Sequence, residues 1–171
     1  ILQCMAVAAQ EYVFVNGLVD SLRMLPKLGG DSVYLVNETL TVVEGGELRI
    51  EAGAKVYFHQ SASLRVDGGR LLLDGRANDS VYLLCYEFSH DWSGVQLKNI
   101  EGDDPVHLSY VEVVGALTAL SATNAENVTL DHCRFNNFYA GKGIELVDCS
   151  QCRIDSCCFS QCISGIELKA R

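Results

Sequence analysis

From residue 32 onward the chain is written in three-residue words, apolar, any residue, apolar. They are Leu40-Thr41-Val42, Leu48-Arg49-Ile50, Val56-Tyr57-Phe58, Leu64-Arg65-Val66, Leu71-Leu72-Leu73 and Val81-Tyr82-Leu83. Alternation over three residues makes a short strand with two side chains on one face. Gly-rich or acidic breaks separate the words, at Glu44-Gly45-Gly46, Glu51-Ala52-Gly53, Asp67-Gly68-Gly69 and Asp74-Gly75. The words recur in threes: Leu40 aligns with Leu64, Leu48 with Leu71, and Val56 with Val81, a period of about 24 residues. No window keeps a 3.6-residue apolar spacing over three turns, so an amphipathic helix is excluded. An antiparallel sandwich would not require equally spaced groups of three words.

The second half keeps the period with a new word. Gly94-Val95-Gln96-Leu97 aligns with Ala119-Leu120-Ser121-Ala122, Gly143-Ile144-Glu145-Leu146 and Gly165-Ile166-Glu167-Leu168. A second shared word, Val128-Thr129-Leu130 with Cys133 and Phe135, matches Cys152-Arg153-Ile154 with Cys157 and Phe159 at a constant offset of 24. One strand triplet buries too little apolar area to stand alone, and stacking equivalent coils solves that. Equivalent residues then form columns running along the stack. Gly94, Ala119, Gly143 and Gly165 make a column of small residues. Val95, Leu120, Ile144 and Ile166 make an aliphatic one, and Asn99, Asn124 and Asp148 share a turn. Cys133 with Cys157, and Phe135 with Phe159, are expected inside. The fold class is therefore an all-β, right-handed parallel β-helix with three short strands per coil and about five to six coils over residues 32–171.

The stretch from Leu40 to Phe58, then Leu64 to Leu71 and Trp92-Ser93-Gly94-Val95-Gln96-Leu97, resembles the pectin-lyase-like class of right-handed β-helices. Within it, the chain is most similar to secreted or surface β-helix proteins of Bacteroidetes-type bacteria. The resemblance covers residues from about 31 to 171. It implies a secreted or cell-surface protein and a packing role for Trp92. It does not name an activity, because the class hosts lyases, hydrolases and adhesins alike.

The two ends of the chain read differently. Residues 1–10 are uncharged and close on Ala6-Val7-Ala8-Ala9-Gln10, the pattern of a signal-peptide tail. Residues 11–31 lie outside the repeat and are expected to form an N-terminal cap. At the other end, Gly165 opens a coil that is not completed by Arg171. The C-terminal end is therefore expected to be truncated, its open edge covered by further coils or another chain.

Composition narrows the partners. The chain carries 22 acidic against 13 basic residues, a net charge of −9, without a Lys/Arg run, which argues against nucleic acid. No apolar run reaches a membrane span. Cofactors are not expected. A polysaccharide or cell-surface glycan is the partner expected; Tyr82, Tyr86 and Phe88 crowd one segment and are expected to pack over the loop, the alternative being an exposed aromatic strip that holds a sugar ring.

Candidate chemistry is sparse. Asp103 and Asp104, after Gly102, resemble one element of the polygalacturonase-type hydrolases, but the other elements of that family are absent. Asp131 and Asp155 share a column one coil apart, with Ser109 before them, and would form half of a Ca²⁺ site. His90, His107 and His132 are single imidazoles without a spaced partner. Six of the eight cysteines fall between Cys133 and Cys162, which allows core packing, disulfides or zinc. Asn37, Asn78 and Asn127 head glycosylation-type triplets. The function expected is a non-catalytic extracellular scaffold for adhesion or glycan binding. The alternative is a polysaccharide lyase or glycoside hydrolase with its site mostly in coils not present here.

Overall fold

The structure, a computed structural model, describes residues 10–86, 92–103, 105–136 and 141–170. The signal-tail expectation for residues 1–10 falls outside them except at Gln10. Twenty strands, and no α-helix among the described residues, wind into a β-solenoid of about six turns. The first turn holds β1 (Tyr12–Phe14), β2 (Gly17–Val19) and β3 (Leu22–Leu25). The second holds β4 (Val33–Val36), β5 (Thr39–Val43) and β6 (Glu47–Glu51), and the third β7 (Lys55–Phe58), β8 (Ser63–Asp67) and β9 (Arg70–Asp74). Next come β10 (Val81–Cys85), β11 (Val95–Ile100) and β12 (Val106–Ser109), then β13 (Val111–Val114), β14 (Thr118–Ala125) and β15 (Val128–Asp131). The sixth turn is β16 (Arg134–Asn136), β17 (Lys142–Val147) and β18 (Arg153–Asp155), followed by β19 (Cys158–Ser160) and β20 (Ser164–Lys169).

Every third strand joins the same sheet. The first sheet runs from β1 to β19, the second from β2 to β20 and the third from β3 to β18, with seven, seven and six strands, all paired in parallel. The expected columns form. Val95 pairs with Leu120, Leu120 with Ile144 and Ile144 with Ile166. Phe135 pairs with Phe159, their rings stacked at 5.2 Å. Burial is complete for Val95, Leu120, Ile144 and Phe135, but Ile166 is 45% exposed because it lies on the last described turn. Trp92 is wholly buried, stacked on Phe58 at 4.0 Å, and its indole N–H donates to the carbonyl of Val114 at 3.0 Å.

Two expectations are corrected. Residues 11–31 do not stand outside the repeat: β1, β2 and β3 pair with β4, β5 and β6 and form the first turn. They escaped the pattern because their outward positions are apolar. Phe14, Leu18, Leu22 and Met24 are exposed, while Arg23 stands opposite the buried Leu48. Val56 pairs with Leu83 rather than Val81, and Val81 pairs with Val111. The turn bridged by Arg76 and Asp79 lengthens the connection between the third and first sheets: Ile50 and Val56 are six positions apart, and their partners Leu73 and Leu83 ten, so the true partner of Val56 lies two residues beyond the aligned Val81. A slip of two keeps every side chain on its own face, so the pattern could not reveal it.

Corners between sheets are tight. Single residues in the left-handed region make many of them, including Asn99, Tyr110, Asn124, Asn127, His132, Asp148, Gln151, Ser156 and Gln161. Asn and Asp adopt that region at low cost, and their side chains continue the stack. Asn124 donates to Asn99 at 3.1 Å, and Asn99 to Asp67 at 2.9 Å.

Candidate functional site

The acidic candidates lie on the outer surface. Asp103 is exposed in a bend pinned by Asn127, whose side-chain amide donates to the carbonyl of Gly102 at 2.7 Å. Asp104 lies outside the described residues, so the Asp103–Asp104 pair is not described. Asp131 and Asp155 are Cα partners on β15 and β18, as the offset requires. Their column continues through Ser109 to Asp74 and Glu51, two acids that the sequence reading did not place there.

Each carboxylate has its own neighbour. Asp131 bonds the His132 Nδ1 at 2.9 Å, and Asp155 accepts from Arg153 at 2.9 Å and from the Ser156 hydroxyl at 3.2 Å. The Arg153 guanidinium, aided by Ser156, holds the Asp155 carboxyl below its usual range. Among the described residues no three His, Cys, Asp or Glu side chains converge on a point that would hold a metal ion.

Of the histidines, His90 lies outside the described residues and His107 is half-buried on β12. His132 stacks on Tyr110 at 4.7 Å and borders a shallow groove of about 360 Å³ with Glu112, Arg134, Ser156 and Cys158. A thiol and an imidazole share this groove, but the Cα partner of Cys158 is Arg134, not His132.

The cysteines follow one rule. Cys133, Cys149, Cys152, Cys157 and Cys162 each come directly after a left-handed corner residue. Each thiol lies 3.2–3.5 Å from the carbonyl two residues earlier, those of Asp131, Val147, Ser150, Asp155 and Ser160. A thiol is small enough for the corner and still offers a weak donor to a carbonyl turned away from the ladder. Cys133 is buried, Cys157 half-buried and Cys158 exposed, so the neighbouring pair alternates as a strand should.

A second cluster forms on the outer face of the first sheet. Tyr12 and Tyr86 meet edge to face at 5.7 Å, and His59 lies 4.7 Å from Tyr86. Hydrogen bonding to Tyr86 raises the Tyr12 phenol above its usual range, and the nearby Tyr57 adds to the effect. Tyr57 also lines a groove of about 510 Å³ with Gln10, Lys27, Asp31, Ser32 and Lys55. Lys27 reaches out of it to Asp79 at 2.9 Å. The alternative aromatic strip at Tyr82, Tyr86 and Phe88 is thus centred elsewhere. Tyr86 belongs to the cluster, Tyr82 pairs with Lys55 across β7 and β10, and Phe88 lies outside the described residues. Compared with known proteins, the chain matches no family model, no curated protein and no solved structure.

Sequence reasoning missed Tyr12, Tyr57 and His59. Tyr57 is the outward middle residue of its word, and Tyr12 belongs to the turn whose repeat was hidden. The available signal was register: placing Tyr57 and Tyr86 on successive coils brings both to one face.

Proposed function

We propose that the chain is a non-catalytic β-solenoid scaffold of the secreted or cell-surface kind, akin to the pectin-lyase-like class, whose first sheet offers a glycan-binding face. The observation that carries this reading is the cluster of Tyr12, Tyr57, Tyr86 and His59 beside the groove lined by Lys27, Lys55 and Ser32. The apolar C–H face of a sugar ring stacks on an aromatic ring, while its hydroxyls need donors and acceptors close by. Tyr12, Tyr57 and Lys55 lie on strands, and His59 and Tyr86 directly follow β7 and β10, which lowers the ordering cost of binding. Asp155 is engaged by the Arg153 guanidinium and the Ser156 hydroxyl, which disfavours it as a free general base.

The test is a binding screen of neutral and acidic oligosaccharides against the purified chain, with turnover followed in the same samples. Binding without cleavage is expected, weakened about tenfold by Tyr57→Ala. Cleavage of any of these glycans, with or without Ca²⁺, would instead establish a lyase or hydrolase.

A further inference from the structure

We propose that Cys133 and Cys157 form a reversible disulfide, made by exchange with a low-molecular-weight disulfide, that staples the sixth turn to the one before it. The two residues occupy one inward column on successive turns. Register is fixed on both sides of them, by Asp131 opposite Asp155 and by Arg134 opposite Cys158. The backbones are clamped at this point, since the Cys158 N–H donates to the Cys133 carbonyl at 2.9 Å. Neighbouring parallel strands lie roughly 4.8 Å apart, within the ~4.4–6.8 Å Cα separation that a disulfide spans. Both thiols are free, and each turns to the carbonyl of its own corner, Asp131 for Cys133 and Asp155 for Cys157, so the two side chains repeat the same geometry one turn apart. Cys158 points to the opposite face and does not compete for Cys133.

Burial sets the order of events. Cys133 is buried, whereas Cys157 is half-buried and open to a small reagent. The hydrogen bond from Cys133 brings the Cys157 thiol down to about 7, against the opposing effect of burial. The same hydrogen bond, and then burial, push the Cys133 thiol up, so the pair's one readily lost proton leaves from Cys157. The Cys157 thiolate attacks one sulfur of the reagent, and the reagent's S–S bond breaks. One thiolate leaves, takes up a proton and departs as free thiol. Cys133 then attacks Cys157 Sγ in the mixed disulfide. A second reagent thiolate leaves and takes the Cys133 proton. In total, two protein thiols become one disulfide and one reagent disulfide becomes two thiols.

The bond would close a loop of about 24 residues, which limits fraying of the turn that holds Ile154 and Phe159, both only half-buried. The experiment incubates the purified chain with oxidised glutathione, quenches with acid, alkylates and maps peptides by mass. The expected product has lost two hydrogens and yields a cross-linked peptide joining Cys133 to Cys157. Amide exchange across β18 and β19 should slow by at least about tenfold. Cys158→Ser should retain the cross-link, and Cys157→Ser should lose it and leave Cys133 unmodified. The map of the unsubstituted chain decides the matter even if Cys157→Ser folds poorly. A stable glutathione adduct on Cys157, a bond joining another cysteine pair, or no bond at all would overturn the proposal.

Discussion

Gly94 sits at φ +85°, where a Cβ would stand 1.8 Å from the carbonyl oxygen of Thr118 on the next turn. An L side chain is strained there twice, by its own dihedral and by the neighbouring backbone. Gly94→Ala should cost about 2–4 kcal/mol in urea unfolding, and a loss below about 0.5 kcal/mol would show that the turns are not this close. Gly143 meets the same limit, with a Cβ position 2.3 Å from the Gly165 carbonyl, whereas Ala119 in that column is accommodated. This small-residue column was legible in the sequence because steric exclusion leaves only Gly and Ala. The corners were legible in part. Asn99, Asn124, His132 and Asp148 belong to residue types enriched in the left-handed region, but Tyr110, Ser156 and Gln161 carry no such preference and could be placed only by register. Phe135 and Phe159 offer a graded test at this scale. Phe135→Ala should cost about 3–5 kcal/mol, and Phe159→Ala clearly less, because only the first ring is enclosed on both sides. Equal losses would contradict the burial of that column.

At the scale of the element, a strand in this molecule is held by the strand one turn away rather than by its neighbour in sequence. The outer face of β17 and β20 shows what that requires. Glu145 and Glu167 are Cα partners, and two adjacent carboxylates would repel. Lys142 lies 3.3 Å from Glu145 and 3.0 Å from Glu167, and Lys169 bonds both acids from the other side. The Lys142 ammonium, aided by the Ser164 hydroxyl, holds the Glu167 carboxyl down to about 2. A depressed acid stabilises fully above its unfolded value of about 4.3, and that contribution disappears as pH falls through the folded value. Protection of the β20 amides should therefore weaken as pH falls from about 4.3 towards 2, and Glu167→Gln should reduce that dependence, leaving the share of Glu145, whose carboxyl Lys169 and Lys142 also hold below its usual range. High salt should blunt the effect, since the groups are exposed. An unchanged acid profile in Glu167→Gln would contradict the network. Word spacing located β17 and β20 because one word repeats there with its glycine. It failed for β7 and β10, where the inserted turn bridged by Arg76 and Asp79 shifts register by an even number.

At the scale of the whole molecule, stability should be graded along the stack, because each turn pairs its backbone only with its two neighbours. Exposed large hydrophobic side chains gather on the first turn, at Val13, Phe14, Leu18, Leu22 and Met24, and after the sixth, at Ile163, Ile166 and Leu168. Amide exchange should be slowest in β8, β11 and β14 and quicken towards β1 and β20. Uniform protection would mean that the chain unfolds as a single unit instead. The architecture was legible because burial imposes a period on every turn. The candidate surface was less so, because outward positions bear no periodic constraint and become a site only when coils are set side by side. Lys55 and Tyr82, 27 positions apart, meet only through the corrected register.

The proposal that the first sheet binds a glycan is tested most directly by following the tyrosine ring resonances while an oligosaccharide from the binding screen is titrated in. Signals of Tyr12, Tyr57 and Tyr86 should shift together and saturably, with Tyr110 on the third-sheet corner unmoved. Saturable binding that leaves those three rings unchanged, or that moves Tyr110 instead, would contradict the assignment of this face.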